Sequence, residues 1–252
     1  MIKRVLFWFR ILSDRRHYYT AFRLPFVYQR PVAFLKRYVF GKGDYPASVD
    51  VRVGGNKVRA NVYSKADVDT VNQIFCRKDY PISPTAKVTV DIGSNIGLAT
   101  TYFLTVAPQS VCYCFEPDPK NVARFGENTS NFESRIILSE TAVSNFSGKA
   151  NFHLESTGRT GSLMAVEGGD KIEVVVQDVN NVLSQVSDKH GMIDFLKVDI
   201  EGHEERVLRA IDADILCKIK VIAAEYSGPL TLNGFKKRAW GIVTIFEQDT
   251  RA

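Results

Sequence analysis

Two glycines four residues apart, Gly93 and Gly97, mark the part of this 252-residue chain best suited to hold a ligand. A β-branched run that ends near Asp91 precedes them and an apolar helical pattern follows, which predicts a strand-to-helix turn. Glycine lets the main chain approach a ligand closely, and a helix N-terminus offers unpaired N–H groups. The pattern indicates a ligand site, while an ordinary connection between strand and helix remains the alternative at this point.

A carboxylate at the end of the next predicted strand favours the ligand site. Val111 to Phe115 predicts that strand, and Glu116 follows it, 19 residues beyond Gly97. Dinucleotide-binding folds place an acid about 20 residues past the glycine turn, where it accepts hydrogen bonds from ribose hydroxyls. The middle glycine of their G-x-G-x-x-G pattern is replaced by Asn95 here. This departure favours an adenosyl ligand without phosphates.

A second group of ionisable side chains follows the apolar strand predicted at residues 193–198. Seven consecutive positions at the strand end and the first helical turn include Asp199, Glu201, His203, Glu204 and Glu205. Asp199 lies directly at the strand end, where a carboxylate can take part in a site. His203 can act as a general base, since its ordinary pKa lies near physiological pH. Favourable interaction of acids with a helix N-terminus explains Glu204 and Glu205.

Strand and helix patterns alternate around both groups. Strands are predicted at 48–53, 56–62, 87–92, 111–115, 135–143, 193–198 and 218–225, and helices at 66–77, from 96, at 118–128, at 179–187 and at 202–211. Residues 144–177 break the alternation and predict an inserted hairpin-like element. Repeated βα units predict an α/β fold, a mostly parallel sheet with helices on both faces. Asp91, Glu116, Asp199 and Glu225 then fall at the carboxyl ends of strands, where such folds bind ligands.

Four sequence blocks resemble the FkbM family of S-adenosylmethionine-dependent methyltransferases. They are VDIGSNIG at 90–97, FEPDPKN at 115–121, TAVSNFSG at 141–148 and FLKVDIEGHEERVL at 195–208. The blocks occur in family order, and D-x-E-G-H-E in the last is the most specific. The resemblance implies a Rossmann-like class I methyltransferase fold with S-adenosyl-L-methionine as cofactor. It also implies O-methylation of a hydroxyl on a sugar, a glycan or another biosynthetic intermediate, as in polysaccharide biosynthesis.

The resemblance assigns the two groups of residues to the two substrates. Those expected to bind the cofactor are Asp91, Gly93, Ser94, Asn95, Gly97, Glu116, Pro117, Thr141 and Ala142. The glycine turn is expected against the methionine part, Asp91 near the amino group and Glu116 on the ribose. The catalytic residues expected near the acceptor are Asp199, Glu201, His203 and Glu225. No metal ion is assigned, but three of these carboxylates could alternatively hold a divalent cation that binds vicinal sugar hydroxyls.

Methyltransferases of this architecture usually finish with a helix and an antiparallel strand pair. Here only residues 227–240 separate the fifth parallel strand from the final apolar segment, 241–246. A helix in that gap must be short. We therefore expect the far edge of the sheet to be trimmed.

The net charge of +5 conceals a basic, aromatic N-terminal segment. Residues 1–42 hold ten Lys or Arg and one acid, a net charge of +9, which leaves −4 for the rest of the chain. Eleven aromatic residues lie in the same segment. Its start, IKRVLFWFRIL, is too short and too interrupted by Arg10 for a transmembrane helix or a secretory signal. Pro25 and Pro31 are expected to break it into short pieces. The predicted domains are an arm at 1–45 and the methyltransferase domain at 46–252.

Two roles for the arm remain open. Its aromatic residues can pack on the domain, or residues 1–40 can lie on an anionic membrane surface. No nucleic acid partner is expected, because the segment lacks any signature of a nucleic-acid-binding fold. The four cysteines form no CxxC pair, which favours free thiols in a reducing cytosol. The predicted location is cytoplasmic, with contact at the inner membrane surface as the alternative. The sequence does not determine the oligomeric state.

Two other classes of protein compete with the methyltransferase. One is an NAD-dependent oxidoreductase, which Asn95 disfavours because it occupies the position of a glycine that approaches the pyrophosphate. The other is a non-catalytic, adenosyl-binding partner protein associated with a membrane.

Overall fold

The structure of the protein is a computed structural model that describes residues 15–154, 161–163 and 170–249. The chain divides into two compact units, and the boundary between them falls after Lys78. These two units differ in bounds from the predicted domains, an arm at residues 1–45 and a methyltransferase domain at 46–252. That assignment stays a prediction.

The first unit combines helices with one β-hairpin. Its elements are α1 (Arg15–Val27), α2 (Pro31–Phe40), β1 (Ala47–Val53), β2 (Asn56–Val62), α3 (Lys65–Val71) and a π-helical segment, Asn72–Arg77. Helix α1 continues through Pro25 to Val27, so the expected break at this proline is wrong. Pro31 begins α2, where a missing N–H group leaves no hydrogen bond unmade. Strands β1 and β2 form the hairpin that Gly54-Gly55-Asn56 predicts.

The second unit contains the βα alternation. Its elements are β3 (Val88–Ile92), α4 (Leu98–Val106), β4 (Val111–Phe115), α5 (Pro119–Thr129), a 3-10 segment (Ser130–Arg135), β5 (Ile136–Ser139), β6 (Ala142–Ser144), β7 (Gly148–Leu154), β8 (Gly161–Ser162), β9 (Asp170–Asp178), α6 (Val179–His190), β10 (Phe195–Val198), α7 (Glu204–Ala210), α8 (Ala213–Leu216), β11 (Val221–Ala224), β12 (Phe235–Trp240) and β13 (Val243–Gln248).

Seven of these strands form the central sheet, in the order β12-β13-β11-β10-β3-β4-β5. Strands β11, β10, β3, β4 and β5 are parallel, and β13 alone of the seven runs the opposite way, antiparallel to both β11 and β12. The chain moves from β3 through β4 to β5 on one side, and from β10 to β11 on the other. The strand order therefore reverses between β3 and β10, which opens a crevice at their carboxyl ends.

Helices cover both faces of this sheet, as the sequence predicts. On one face Phe103 of α4 packs edge-on against Phe195 of β10, with ring centroids 5.2 Å apart. On the other face Leu196 belongs to an apolar core that includes Val182 of α6 and Leu208 of α7. Neighbouring residues of a strand point to opposite faces, so β10 contributes to both cores. The Rossmann-like α/β fold is confirmed.

The strand predicted at 135–143 is divided into two, each in a different sheet. Strand β5 stays in the central sheet, whereas β6 joins a smaller sheet in the order β6-β9-β7-β8. Side-chain hydrogen bonds hold the junction: Gln177 Nε2 donates to Ser139 Oγ at 2.9 Å and to Thr141 Oγ1 at 2.7 Å. The predicted hairpin-like insertion is thus a four-stranded sheet attached to β5, and it is called the insertion sheet below.

Among the described residues, the far edge of the central sheet keeps the antiparallel strand pair but lacks the helix that usually precedes it. Strands β12 and β13 pair along six residues each, and β13 pairs with β11. In the described part of the chain, residues 227–234 carry no helix between β11 and β12. The gap is thus too short for the usual helix, as the sequence indicates, and a loop leads directly into the terminal hairpin.

Candidate active site

The glycine turn lies at the carboxyl end of β3. Gly93 has φ +79°, and a Cβ atom at this position would collide with the carbonyl oxygen of Asp199 at the end of β10. Gly97 has φ +82°, and a Cβ there would lie 2.9 Å from atoms of Phe125 and Thr129 in α5. Both glycines are therefore required by close approach as well as by backbone conformation. The turn lies against both β10 and α5.

Glu116 points toward this turn. Its Oε2 accepts a hydrogen bond from the Asn95 N–H group at 2.9 Å, and its Oε1 accepts one from the Asp118 N–H group at 2.9 Å. Burial raises the pKa of Glu116 to about 7, although both backbone hydrogen bonds act to lower it. The carboxylate thus lies beside the glycine turn, as a ribose-binding acid must. Its contact with ribose stays a prediction.

A buried ion pair lies beneath the turn. Lys197 Nζ lies 3.0 Å from Asp91 Oδ1 and donates to the Gly93 carbonyl oxygen at 2.8 Å. The other oxygen of Asp91 accepts a hydrogen bond from Thr100 Oγ1 at 2.7 Å. Burial alone would lower the pKa of Lys197, but the charges of Asp91 and Asp199 outweigh it, so the pKa is raised and the lysine stays charged. Both oxygens of Asp91 thus have partners in the fold, and its contact with the cofactor amino group stays a prediction.

Asp199 and Glu225 meet at the carboxyl ends of β10 and β11. Asp199 Oδ2 accepts a hydrogen bond from the Tyr80 hydroxyl at 3.2 Å and lies 3.4 Å from Lys197 Nζ. Glu225 is hydrogen-bonded to Asp199, and burial, followed by the charge of Asp199, raises the pKa of Glu225. The charge of Glu201 adds to the same shift. Glu225 therefore holds a proton at neutral pH, and its carboxyl group lies next to that of Asp199.

The loop after Asp199 is held by its own side chains. Glu201 has φ +54°, an unusual conformation for a residue other than glycine. Glu204 accepts hydrogen bonds from the N–H groups of Ile200 and Gly202, which fixes the loop to the start of α7. Glu205 contacts Arg209 and Tyr226. The structure thus gives both Glu204 and Glu205 structural partners, as the sequence suggests.

His203 precedes α7 and is half-buried. Neither of its ring nitrogens has a hydrogen-bond partner among the described residues, although both atoms are enclosed. Burial, followed by the charge of Arg206, lowers the pKa of His203. The ring is therefore neutral at physiological pH, with one nitrogen able to accept a proton.

The remaining predicted cofactor residues lie around the same crevice. Pro117 follows Glu116, and Thr141 and Ala142 follow β5 at the junction with the insertion sheet. Ser94 Oγ is buried in the turn without a hydrogen-bond partner in the described part of the chain. An unpaired hydroxyl, close main-chain approach and a buried acid fit the polar groups of an adenosyl cofactor. These residues would hold it, and each individual contact stays a prediction.

Two residues of the site escape sequence reasoning. Lys197 lies in a strand that is otherwise apolar, FLKV, and a single lysine flanked by buried residues could have been a signal. Tyr80 lies in a proline-containing connection before β3, and nothing in its local sequence marks it. Among residues 15–154, 161–163 and 170–249, no group of three or more His, Cys, Asp or Glu side chains is arranged to hold a metal ion.

The fold is that of a class I methyltransferase that uses S-adenosylmethionine. Residues 91–237, more than half of the chain, match the model of the Methyltransferase FkbM domain. The chain therefore belongs to the FkbM methyltransferase family, and the motif resemblance is confirmed. This membership supports neither an NAD-dependent oxidoreductase nor a non-catalytic adenosyl-binding protein.

Three curated relatives cover different shares of the chain. Methyltransferase 1 of Beauveria bassiana is 28% identical over 180 residues, which are 62% of this chain and 72% of that protein. The 2-O-methyltransferase NoeI of Sinorhizobium fredii is 29% identical over 157 residues, 56% of this chain and 63% of that protein. The hexuronic acid methyltransferase AglP of Haloferax volcanii is 30% identical over 122 residues, 48% of each chain. The alignments thus span from about half to three quarters of these relatives.

The ion pair beneath the turn predicts a large loss of stability in Lys197→Met. This variant leaves the Asp91 carboxylate buried without its cation, which costs about 3–5 kcal/mol. Urea unfolding followed by circular dichroism measures the loss. Lys218→Met is the matched control, because Lys218 forms an exposed pair with Asp188 and should cost under about 1 kcal/mol. A loss below about 1 kcal/mol in Lys197→Met would contradict this account of the pair.

The raised pKa of Glu116 predicts a pH-dependent affinity for S-adenosylhomocysteine. Ribose hydroxyls donate to the ionised carboxylate, and Glu116 becomes protonated as the pH falls through about 7. The affinity should therefore be about tenfold weaker at pH 6 than at pH 8 by linkage. Titration calorimetry measures it. Glu116→Gln should remove the dependence, whereas the exposed Glu133→Gln should keep it, and equal wild-type affinity at both pH values would refute the ribose role.

Proposed function

We propose that this protein transfers the methyl group of S-adenosylmethionine to a hydroxyl of a sugar or glycan. The observation that carries the proposal is the set of polar groups at and just after the carboxyl ends of β10 and β11: Asp199, a protonated Glu225, and a neutral His203 whose ring nitrogens have no hydrogen-bond partner among the described residues. Such groups suit an acceptor that must be held by hydrogen bonds and must lose a proton. The names of two relatives, a 2-O-methyltransferase and a hexuronic acid methyltransferase, support the hydroxyl and the sugar.

On the donor side the chain mainly has to hold the cofactor and orient its methyl group. The cofactor supplies a methyl carbon activated by positive sulfur, so displacement needs an aligned nucleophile more than it needs further activation. In our proposal Gly93 and Gly97 let the main chain approach the methionine part, and Glu116 accepts the ribose hydroxyls. Lys197 holds the Gly93 carbonyl, which keeps the turn at the end of β3. Thr141 and Ala142 flank the adenine.

On the acceptor side one proton has to be moved. As the acceptor oxygen forms its bond to the methyl carbon and the bond from that carbon to sulfur breaks, the hydroxyl proton passes to His203. Glu225 already carries a proton, so it cannot be the base, and Asp199 is engaged by the Tyr80 hydroxyl and Lys197. Asp199 and Glu201 orient the acceptor by accepting hydrogen bonds from its other hydroxyls.

Variants on the acceptor side should separate catalysis from cofactor binding. His203→Ala removes the proposed base, which is expected to lower methyl transfer about 100-fold or more. The change leaves the cofactor residues intact, so S-adenosylhomocysteine affinity should stay within twofold. The assay incubates the protein with radiolabelled S-adenosylmethionine and a cell lysate, followed by separation of glycan, lipid, protein and nucleic acid fractions.

The matched control is His190→Ala, because His190 is exposed and contacts Tyr113 away from the crevice. It should methylate like the wild-type protein. Label confined to the protein or nucleic acid fraction would contradict a sugar acceptor. Failure of the wild-type protein to bind S-adenosylhomocysteine would contradict the methyltransferase itself.

We also propose that residues 1–40 contact an anionic membrane surface. The described part of this segment divides its apolar side chains into two sets. Leu24, Val27, Tyr28 and Phe34 are buried within the first unit, which supports the packing expected for some of the aromatic residues. Phe22 and Phe26 of α1 are 75% and 68% exposed, and they contact each other at 6.1 Å between ring centroids.

Helix α2 adds a second exposed apolar group with basic neighbours. Val32, Val39 and Phe40 are exposed in α2. Arg30 precedes the helix and Lys36 lies within it, and both are exposed. Apolar side chains mixed with cations favour an interface with anionic lipid, because rings enter the headgroup region while charges meet phosphates. Among the described residues no helix is long and apolar enough to cross a membrane.

Vesicle binding tests this surface in the full chain. Phe22→Ser combined with Phe26→Ser should weaken binding to vesicles of phosphatidylcholine and phosphatidylserine at least tenfold, because two rings no longer leave water. Sedimentation of the protein with the vesicles measures it. Phe146→Ser is the matched control, since Phe146 is an exposed phenylalanine of the second unit. Equal sedimentation of the double variant and the wild-type protein would refute the membrane contact.

A further inference from the structure

The insertion sheet touches the loop that carries Glu201 and His203. Ser162 of its edge strand β8 donates a hydrogen bond from Oγ to the main-chain oxygen of Glu201 at 3.0 Å. Glu201 also lies close enough to Glu225 for its charge to act on that carboxyl group. One end of the insertion sheet therefore contacts the loop on the proposed acceptor side of the crevice.

His153 lies on the face of the insertion sheet that makes this contact. It pairs directly with Ser162 across the antiparallel strands β7 and β8, so both side chains point to the same face. Lys149 and Val175 occupy that face further along and are exposed, whereas His153 is only 7% exposed. Among the described residues of this face, His153 and Ser162, at the end beside Glu201, are buried.

Three enclosed ring nitrogens near this contact have no partner in the described part of the chain. They are Nδ1 of His153 and both Nδ1 and Nε2 of His203. An enclosed polar atom that makes no hydrogen bond destabilises a fold, so such atoms in native proteins are usually hydrogen-bonded by water or by a bound ligand. Each histidine belongs to one of the two segments that meet at the Ser162–Glu201 hydrogen bond. His153 lies in the insertion sheet, and His203 lies in the loop before α7. The cross-strand pairing of His153 with Ser162 and the Ser162–Glu201 hydrogen bond bring both histidines to the same region.

We propose that His153, Ser162, Glu201 and His203 form a subsite for the hydroxyl-bearing ring of a neutral sugar, an inference that rests on the proposed methyl transfer. Hydroxyl groups both donate and accept, so they satisfy an imidazole in either tautomer and a carboxylate at once. A phosphorylated ring would meet the carboxyl groups of Asp199 and Glu201, and repulsion disfavours it. His153 selects the acceptor, while His203 both contacts it and takes its proton.

Saturation-transfer NMR tests the subsite without knowledge of the natural acceptor. The probes are methyl α-D-glucopyranoside, methyl α-D-mannopyranoside and methyl β-D-galactopyranoside, each added at millimolar concentration to full-length protein saturated with S-adenosylhomocysteine. We expect saturation transfer to at least one glycoside with the wild-type protein. His153→Ala should reduce it at least fivefold, and His190→Ala should leave it unchanged.

The affinity for S-adenosylhomocysteine, measured on each variant by calorimetry, separates this subsite from the fold and from the proposed function. It should be unchanged in His153→Ala, which shows that the crevice is intact, and Ser162→Ala gives a second, milder variant with the same expected direction. Saturation transfer equal in His153→Ala and the wild-type protein overturns the subsite. So does its absence for all three glycosides in wild-type protein that binds S-adenosylhomocysteine. A wild-type protein that fails to bind S-adenosylhomocysteine instead overturns the proposed function.

Discussion

The arrangement of the crevice depends on one buried cation. Lys197 lies between Asp91 on β3 and Asp199 at the end of β10, and it also binds the carbonyl oxygen of Gly93. A charge in this position is tolerated only because each of its partners is near and fixed. The same ammonium group therefore links the turn expected to hold the cofactor to the carboxylate expected beside the acceptor. Donor and acceptor sides cannot shift independently while this contact is kept.

The electrostatics of the acceptor side follow from that cation. Its positive charge, together with the Tyr80 hydroxyl, stabilises Asp199 as an anion. Burial raises the pKa of the neighbouring Glu225, and the charge of Asp199 adds to this shift. The pair thus shares one negative charge, and His203 stays neutral because burial lowers its pKa. In the proposed site, the neutral His203 is able to accept the proton of an acceptor hydroxyl.

Sequence reasoning succeeds here where chemistry is local and fails where it is set by the fold. The glycine turn and Glu116 could be predicted, because a strand, a turn and a helix start follow one another within a short stretch of chain. Asp199 and Glu225 could be placed at one edge because parallel strands end together. Lys197 and Tyr80 could not be predicted as site residues. The partner that explains the buried lysine is an acid more than 100 residues away in the chain. The division between β5 and β6 could not be predicted either, because the hydrogen bonds that hold it come from Gln177, on a strand distant in the sequence.

The junction between the two sheets has a consequence for how this enzyme can diversify. The insertion leaves the central sheet after Ser139 and returns at Asp178, whose carboxylate caps the start of α6. Both ends are held by hydrogen bonds to Ser139, at the end of the central-sheet strand β5, and to the start of α6. The segment between them can therefore be replaced without a change in either element. Under the proposed assignments, replacement of β7 and β8 within that segment would change the surface next to the acceptor, whereas Thr141 and Ala142 at its start would have to be kept because they flank the adenine.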